Sequence, residues 1–430
     1  MIPRLLTIWD SIRSSLWALP FAMVAAAAAL AYAALHINLE TAGDWAWFLF
    51  SGGSSQAPQF LSSLVGAMIT MATLAVSITM VVLTLAAQQL GPRLIRSFMS
   101  DHRTQMTLGL FIGTVVYLLL VLHSAYNQSN QVSNLAVTGG TVLVLVCVVT
   151  LLLFVHHLAH SIIADNVIDR VGAQLDEDVL RLLPERAGEQ PQQPELKRHG
   201  KPVLLARGGY AQVIDYDSIV STATKANAVV ELDIRAGHHA VPGRILGYVS
   251  PAPAADDALC RVVRNAIVVG RERTAVQDLE FSIRQLVEIA LRALSPGIND
   301  PYTANAALDR LTLSIALIMT RDAAKSVWKD DDGTIRLVAP VSTFEGITDA
   351  AFNQIRQQGL PAVLIRMAQN IGQLLQQADD AHRPALEKHL KFVVAAGRRT
   401  IAAETDLEDL ETSAQEASDE AREGENQPAS

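Results

Sequence analysis

Four long stretches of this 430-residue chain, about 15–36, 61–89, 105–124 and 135–158, contain no Asp, Glu, Lys or Arg. Each is close to or above the ~20 apolar residues that an α-helix needs to cross ~30 Å of hydrocarbon. The missing charge excludes a chain that is water-soluble along its whole length. It also argues against a charge-coupled transporter, which places an ionisable side chain near the bilayer midplane.

Cysteine is nearly absent. Cys147 lies in the fourth run and Cys260 far beyond it, which excludes a disulfide framework and a cysteine-based metal site. No P-loop, GxGxxG, nucleophile elbow, kinase signature set or HExxH occurs, so no enzyme class and no cofactor are implied. Basic surface is lacking as well. From Glu404 onward ten acidic residues stand against Arg422 alone, a net of −9 that equals the formal charge of the whole chain. Residues 1–403 are therefore formally neutral, and nothing invites nucleic acid. The acidic segment 404–430 has no aromatics and is expected to be a disordered tail, repelled by an anionic leaflet.

Lys and Arg are missing from two of the three short loops, around 37–60 and 125–134, where Glu40 and Asp44 are the only formal charges. Arg4 and Arg13 precede the first run, and Arg93, Arg96 and Arg103 crowd the loop between the second and third. Positive loops stay on the cytoplasmic side. The expectation is four spans in a cytoplasmic (inner) membrane with both termini cytosolic. Trp9 and Trp17, and the cluster Trp45, Trp47, Phe48 and Phe50, suit the two headgroup layers. A cleaved signal peptide fits less well, because the first apolar run exceeds the usual 7–15 residues of its hydrophobic core.

After residue 160 the composition becomes that of a soluble protein. Residues 161–183 read as one helix continuing from span four, with Ile163, Val167, Val171, Leu175, Val179 and Leu182 forming a seam suited to a partner. A proline-bearing linker is expected at 184–202. Residues 203–255 read as a small β-rich subdomain, with strands near 203–206, 210–215, 229–234 and 244–249 and a short helix from Asp217 to Ala226. Within it, AGHHAVPGRIL resembles the strand–turn–strand of biotinyl/lipoyl carrier domains, without their lysine-bearing hairpin. Residues 256–403 read as an α-helical subdomain with helices near 256–266, 277–294, 302–320, 344–358, 361–378 and 383–403, and a possible strand at Ile267–Val269. The fold class is thus membrane α-helical: four transmembrane helices plus a cytosolic α+β region.

Candidate sites are few, and each has two readings. In the second span Gly66, Thr70, Thr73, Ser77, Met80 and Thr84 recur at steps of three and four. That face serves helix packing, or lines a pore assembled from several copies with Thr70, Thr73, Ser77 and Thr84 toward the ion. Gly109 and Gly113 form a GxxxG pair in span three. In SPGINDP, Asp300 is an N-cap and Pro301 the first helical residue. Either the motif is only a well-capped turn, or Asn299 and free helix amides receive an anion, or Asp300 and Asp309 receive a cation. Glu280, Arg284, Glu288 and Arg292 make an alternating-sign ladder, a solvated face or a subunit interface. His156 and His160 lie one turn apart in HHLAH, which lacks the Glu of a catalytic zinc motif; pH-sensitive histidines are the simpler reading. His36, His123, His238 and His239 carry no stronger signal.

The run GRERTAVQDLEFSIRQLVEIALRALSPGINDPYTANAALDRL (270–311), GGYAQVIDYDSI (208–219) and the four spans resemble the domain-of-unknown-function 2254 family of bacterial membrane proteins. The resemblance covers nearly everything before the acidic segment. It implies a bacterial membrane location and carries over no activity, ligand or catalytic residue. The residues themselves favour a homo-oligomeric ion-conducting pore gated by its cytosolic domain. The alternative is a membrane-anchored sensor or scaffold that binds a small cytosolic ligand or a protein; an unrecognised enzyme ranks third. The expected partners are the lipid bilayer, further copies of the chain, and an ion or small ligand.

Overall fold

The computed structural model describes residues 17–36, 56–89, 101–127, 134–161, 163–186 and 199–425. The tryptophans and charges assigned above to positions 4–13, 40–50 and 93–96, and most of the 184–202 linker, lie outside them. The chain divides into two compact units at Ile163/Ala164.

The first unit holds four helices long and apolar enough to cross a bilayer: α1 (Ala18–His36), α2 (Ala57–Gln89), α3 (His102–Asn127) and α4 (Asn134–Ser161). Half of the α3 span is buried among its neighbours, against 17–22% for the other three, so α3 is the axial helix. Small residues set its approach to α1. A Cβ on Gly109 would lie 2.7 Å from Met23 Sδ, and one on Gly113 would lie 3.3 Å from Ala27 Cβ. Tyr117 donates its hydroxyl to the Ala136 carbonyl (2.9 Å), over a floor left open by Gly139 and Gly140. Phe111, Tyr117 and Leu118 from α3, with Leu61 and Met68 from α2, fill the centre with side chains.

Span four does not run on unbroken. Ser161 turns its hydroxyl back to the Leu158 carbonyl, and the Ile163 amide reaches only to His160, a tightened last turn. α5 (Ala164–Leu182) then starts afresh, with Asp165 in its first turn, where negative charge favours a helix start.

The second unit begins with α5. Its strands are β1 (Lys201–Leu204), β2 (Gly209–Ile214), β3 (Val229–Leu232), β4 (His239–Ala240), β5 (Ile245–Ser250), β6 (Ile267–Gly270), β7 (Val327–Lys329) and β8 (Ile335–Val338). They form a five-stranded sheet in the order β1-β5-β3-β8-β7 and a three-stranded sheet in the order β4-β2-β6. Among the described strands only β3 and β8 pair in parallel. Two helices cover this β layer, α6 (Tyr216–Lys225) and α7 (Asp257–Ala266), capped by Asp215 and Asp256 through the amides of Ser218 and Leu259.

Two expectations about this region are corrected. AGHHAVPGRIL is no hairpin, because β4 pairs with β2 while β5 pairs with β1 and β3, so the chain passes from one sheet to the other. Nor does the β-rich part end at residue 255. β6, β7 and β8 return to it from within the segment read as helical, and Trp328 on β7 stacks on Tyr216 at 4.3 Å.

Six more helices follow: α8 (Leu279–Ala293), α9 (Pro301–Met319), α10 (Phe344–Arg356), α11 (Pro361–Gln377), α12 (Arg383–Thr400) and α13 (Glu404–Glu425). The α5 seam of Val167, Val171, Leu175 and Val179 is buried, and α5 packs on α8 and α9 of the same chain. The acidic segment is helix rather than coil over 404–425. Leu410, Ala414 and Ala417 recur at helical spacing and pack on α11 and α12, where Gly397 and Gly372 leave room for Leu410 and Ala417. Arg398 pairs with Glu411 across the same junction (2.7 Å).

One buried group gives this helical layer a pH dependence. His389 on α12 is fully buried between Phe352 and Phe392, and neither ring nitrogen makes a hydrogen bond. Burial pushes its pKa down to about 4; Lys388 and Arg356 add to this, while Asp349 Oδ1, 3.2 Å away, opposes it. A depressed pKa means that the unfolded chain takes up the proton first. His389 thus contributes full stability above about pH 6.5 and loses about 1.4 kcal/mol per unit as pH falls toward 4. The difference in unfolding free energy between wild type and His389→Gln is expected to narrow at that rate over this window. A difference that stays constant with pH contradicts the assignment.

Candidate functional site

Thr70, Thr73, Ser77 and Thr84 share the outward face of α2, whereas Leu61, Val65, Met68, Ala75 and Thr79 point into the four-helix unit. Thr70, Thr73 and Thr84 donate their hydroxyls to the carbonyls of Gly66, Ile69 and Met80, four residues back. A helix in hydrocarbon satisfies its hydroxyls in this way. Gly66 faces open space, with no atom within 4 Å of where its Cβ would be. Within one copy these residues lie on the outer surface of the unit. The other features read as contacts between copies are used inside the chain: Gly109 and Gly113 on α1, and the α5 seam on α8 and α9.

The turn 295–301 is built as a cap at both ends. The Ile298 and Asn299 amides donate to the Ser295 carbonyl, and the Asp300 amide donates to Ala293 (2.8 Å). Asn299 sits at φ +50°, the left-handed region that Asn tolerates better than most residues, so its backbone explains its presence. Asp300 accepts from the Tyr302 and Thr303 amides and from the Thr303 hydroxyl, and the Thr303 hydrogen bond first of all holds its carboxyl below the usual range. Asp309 lies nine residues along α9, about 13 Å up the helix axis, and is turned to α11. Arg366 grips it bidentately at 2.8 and 2.7 Å, and Asn370 adds a third hydrogen bond. Burial pushes its pKa up, but these donors outweigh it and hold the carboxyl low. The shared cation site imagined for Asp300 and Asp309 is not assembled. Among the described residues no group of three or more His, Cys, Asp or Glu side chains is placed to hold a metal.

His156 and His160 are exposed, their rings 4.3 Å apart, and His160 Nδ1 lies 3.0 Å from the His156 carbonyl oxygen. The histidine that meets a carboxylate is His157, whose Nε2 lies 2.9 Å from Asp101 Oδ2. Spacing on one helix could not reveal that pair, because Asp101 comes from the start of another.

The charge ladder of α8 faces inward. Glu280 is buried, and Arg284, Glu288 and Arg292 are half-buried. Glu280 binds Arg235, which follows β3 (2.5 Å), and lies 3.9 Å from both Arg273 and Arg284. Arg273 grips the buried Asp278 through Nε at 2.7 Å and Nη2 at 2.9 Å. Asp278 precedes α8 yet leaves its amides uncapped, because its carboxylate is turned to the guanidinium. Gly237, at φ +86°, completes the fit: a Cβ there would fall 2.2 Å from Asp278 Oδ2. Burial pushes the Asp278 carboxyl up while Arg273 opposes it. His238 beside it is held down to about 4 by burial, then by Arg235 and Arg244, with Glu280 opposing. Gln277 adds hydrogen bonds to both the amide and the carbonyl of Ile214 on β2. This network locks α8 to the β layer. Of this network the helix spacing showed Glu280 and Arg284; Arg235, 45 residues before Glu280, gave no local signal.

These features lie within the segment that comparison with known proteins picks out. The profile of a family described as predicted membrane proteins, domain of unknown function 2254, matches residues 13–373. The chain belongs to this family. An uncharacterised protein of Mycobacterium tuberculosis (strain H37Rv) is 30% identical over 422 residues, covering 94% of this chain and 80% of its own length. An uncharacterised protein of Mycobacterium bovis matches to the same extent. None of the solved structures matches this domain-of-unknown-function 2254 protein.

Removing one partner of a buried ion pair strands the other, at a cost of about 3–5 kcal/mol. In this family member Asp278→Asn is expected to lower the unfolding free energy by about 3 kcal/mol or more, measured by denaturant titration in detergent. A loss below about 1 kcal/mol would mean that the network does not hold the two layers together.

Proposed function

We propose that the protein assembles as a homo-oligomer in a bacterial cytoplasmic membrane and conducts ions along a path lined by α2, with the unit that begins at Ala164 on the cytosolic side as the gate. One observation carries the reading: α2 presents Gly66, Thr70, Thr73, Ser77 and Thr84 on an outward face that none of the described residues covers. Lipid chains gain nothing from hydroxyls, whereas small residues let helices of neighbouring copies approach closely. A threonine oxygen that has donated its hydrogen to the backbone keeps lone pairs for a passing cation. The four-helix centre is packed with Phe111, Tyr117 and Met68, so a path between copies is the natural one. The charge-free spans favour passive conduction over coupled transport. The cytosolic placement rests on the Lys/Arg asymmetry of the short loops. No catalytic step belongs to this proposal.

Planar-bilayer recording of the purified, reconstituted protein tests it. Wild type is expected to show discrete, ion-selective openings, and Thr73→Leu/Ser77→Leu to lower unitary conductance at least tenfold with the oligomeric mass unchanged. Silence from a well-assembled wild type, across pH and with tension applied, would overturn the proposal.

A further inference from the structure

The second unit holds a cavity of about 390 Å3 that the charge network above does not touch. Four parts of the chain surround it: the end of α5, the end of α9, the start of α10, and the turn between α11 and α12. Leu183, Ile318, Val341, Phe344 and Ile347 supply apolar wall, while Arg186, Arg321, Asp322, Ser342, Thr343 and His382 supply polar groups. A small-molecule site has this make-up, an apolar cleft with a few convergent polar groups.

The polar groups are unequal. Arg186 is already committed to Asp379, which also holds His382 Nδ1 at 2.6 Å. Arg321 is held only by one long ion pair. Its side chain is only 15% exposed, yet its nearest carboxylate oxygen is Glu185 Oε1 at 3.8 Å, beyond hydrogen-bond reach, on a side chain 93% exposed. A guanidinium carries five N–H donors. Withdrawing it from water without acceptors is costly, and a screened surface acid at that distance returns little. Asp322, the one carboxylate among the described lining residues, takes part in interactions of its own.

A second feature has the same sign. α10, 13 residues long, begins at the cavity wall, and Thr343 caps the Gly346 amide. The amides of Phe344 and Glu345 before it point out of the first turn, where the helix dipole favours negative charge. Arg321 and this helix start lie on different elements and converge on one cavity with an apolar side.

We infer that this cavity is a binding site for a small organic anion, with its carboxylate or phosphate on Arg321 at the start of α10 and its apolar body against Ile318, Phe344 and Ile347. Planar oxyanions match the guanidinium fork, which gives two parallel hydrogen bonds. The inference is independent of conduction and holds whether or not the spans form a pore.

Ligand-observed NMR on the full-length protein in lipid nanodiscs tests it, with empty nanodiscs as the blank and benzoate, phenyl phosphate and neutral benzyl alcohol as probes. At least one anion is expected to bind at least tenfold more tightly than benzyl alcohol, and which one does so identifies the head group. Arg321→Met is expected to lose that preference, and Arg398→Met, at an exposed arginine elsewhere, to keep it. Ser342→Trp, which fills the cavity and leaves Arg321 in place, should abolish binding of both anions, so the inference stays testable if Arg321→Met misfolds. Equal binding of all three probes, no anion binding by wild type, or anion binding that survives Ser342→Trp would each overturn it.

Discussion

Hydrocarbon offers a polar group no partner, and the four helices α1–α4 are organised by that constraint. Helices close every backbone hydrogen bond internally. The hydroxyls do likewise, since Thr70, Thr73, Thr79, Thr84, Thr138, Thr141 and Thr150 all donate to the carbonyl four residues back. With polarity neutralised in this way, helix contact depends on shape. α3 can therefore be the axial helix because Gly109 and Gly113 admit α1 and because Gly139 and Gly140 admit the Tyr117 ring. What remains outward on α2 is a face whose small and hydroxylic residues meet no neighbour among the described residues of the copy.

From Ala164 onward the rule is inverted: charge is taken inside and paired. Asp176 of α5 accepts from Arg310 and Ser314 of α9, Asp178 accepts from Ser282 of α8, and Arg273 with Asp278 and Arg235 with Glu280 tie α8 to the β layer. Such pairs add little net stability over apolar packing, but they punish any other arrangement, because a broken pair strands a buried charge. A unit whose strands are short and distant in sequence gains its register partly in this way. Arg321 departs from the pattern: its guanidinium is sheltered beside a cavity, with only a long ion pair to the exposed Glu185.

How much of this was legible in the sequence depends on range. Features that repeat every three to four residues, or that need only neighbours, could be read: the charge-free runs, the cap at Asp300, and the strands near 210, 229 and 245 all fall within a few residues of where the structure has them. Partnership at a distance could not. β8 lies beside β3 across about a hundred residues, and β7 and β8 fell in a segment read as helical. The α8 ladder has surface spacing, but its direction depends on Arg235 and Arg273. The acidic segment looked like coil because composition dominated the reading, while the stripe of Leu410, Ala414 and Ala417 finds its seat only against Gly372 and Gly397. At the candidate sites, Asp300 was readable as a cap, whereas the ties of Asp309 to Arg366, of His157 to Asp101 and of the cavity around Arg321 all needed the fold.

The central proposal is that copies of this chain meet along the outward face of α2. Cysteine cross-linking in native membranes tests it most directly, because both natural cysteines are buried. Single substitutions Gly66→Cys and Thr73→Cys are expected to give covalently linked chains under mild oxidation, whereas the inward Ala75→Cys and Val148→Cys on the outer face of α4 give none. Monomers at Gly66 and Thr73, or cross-linking as strong through Val148, would contradict the assembly and with it the conducting path.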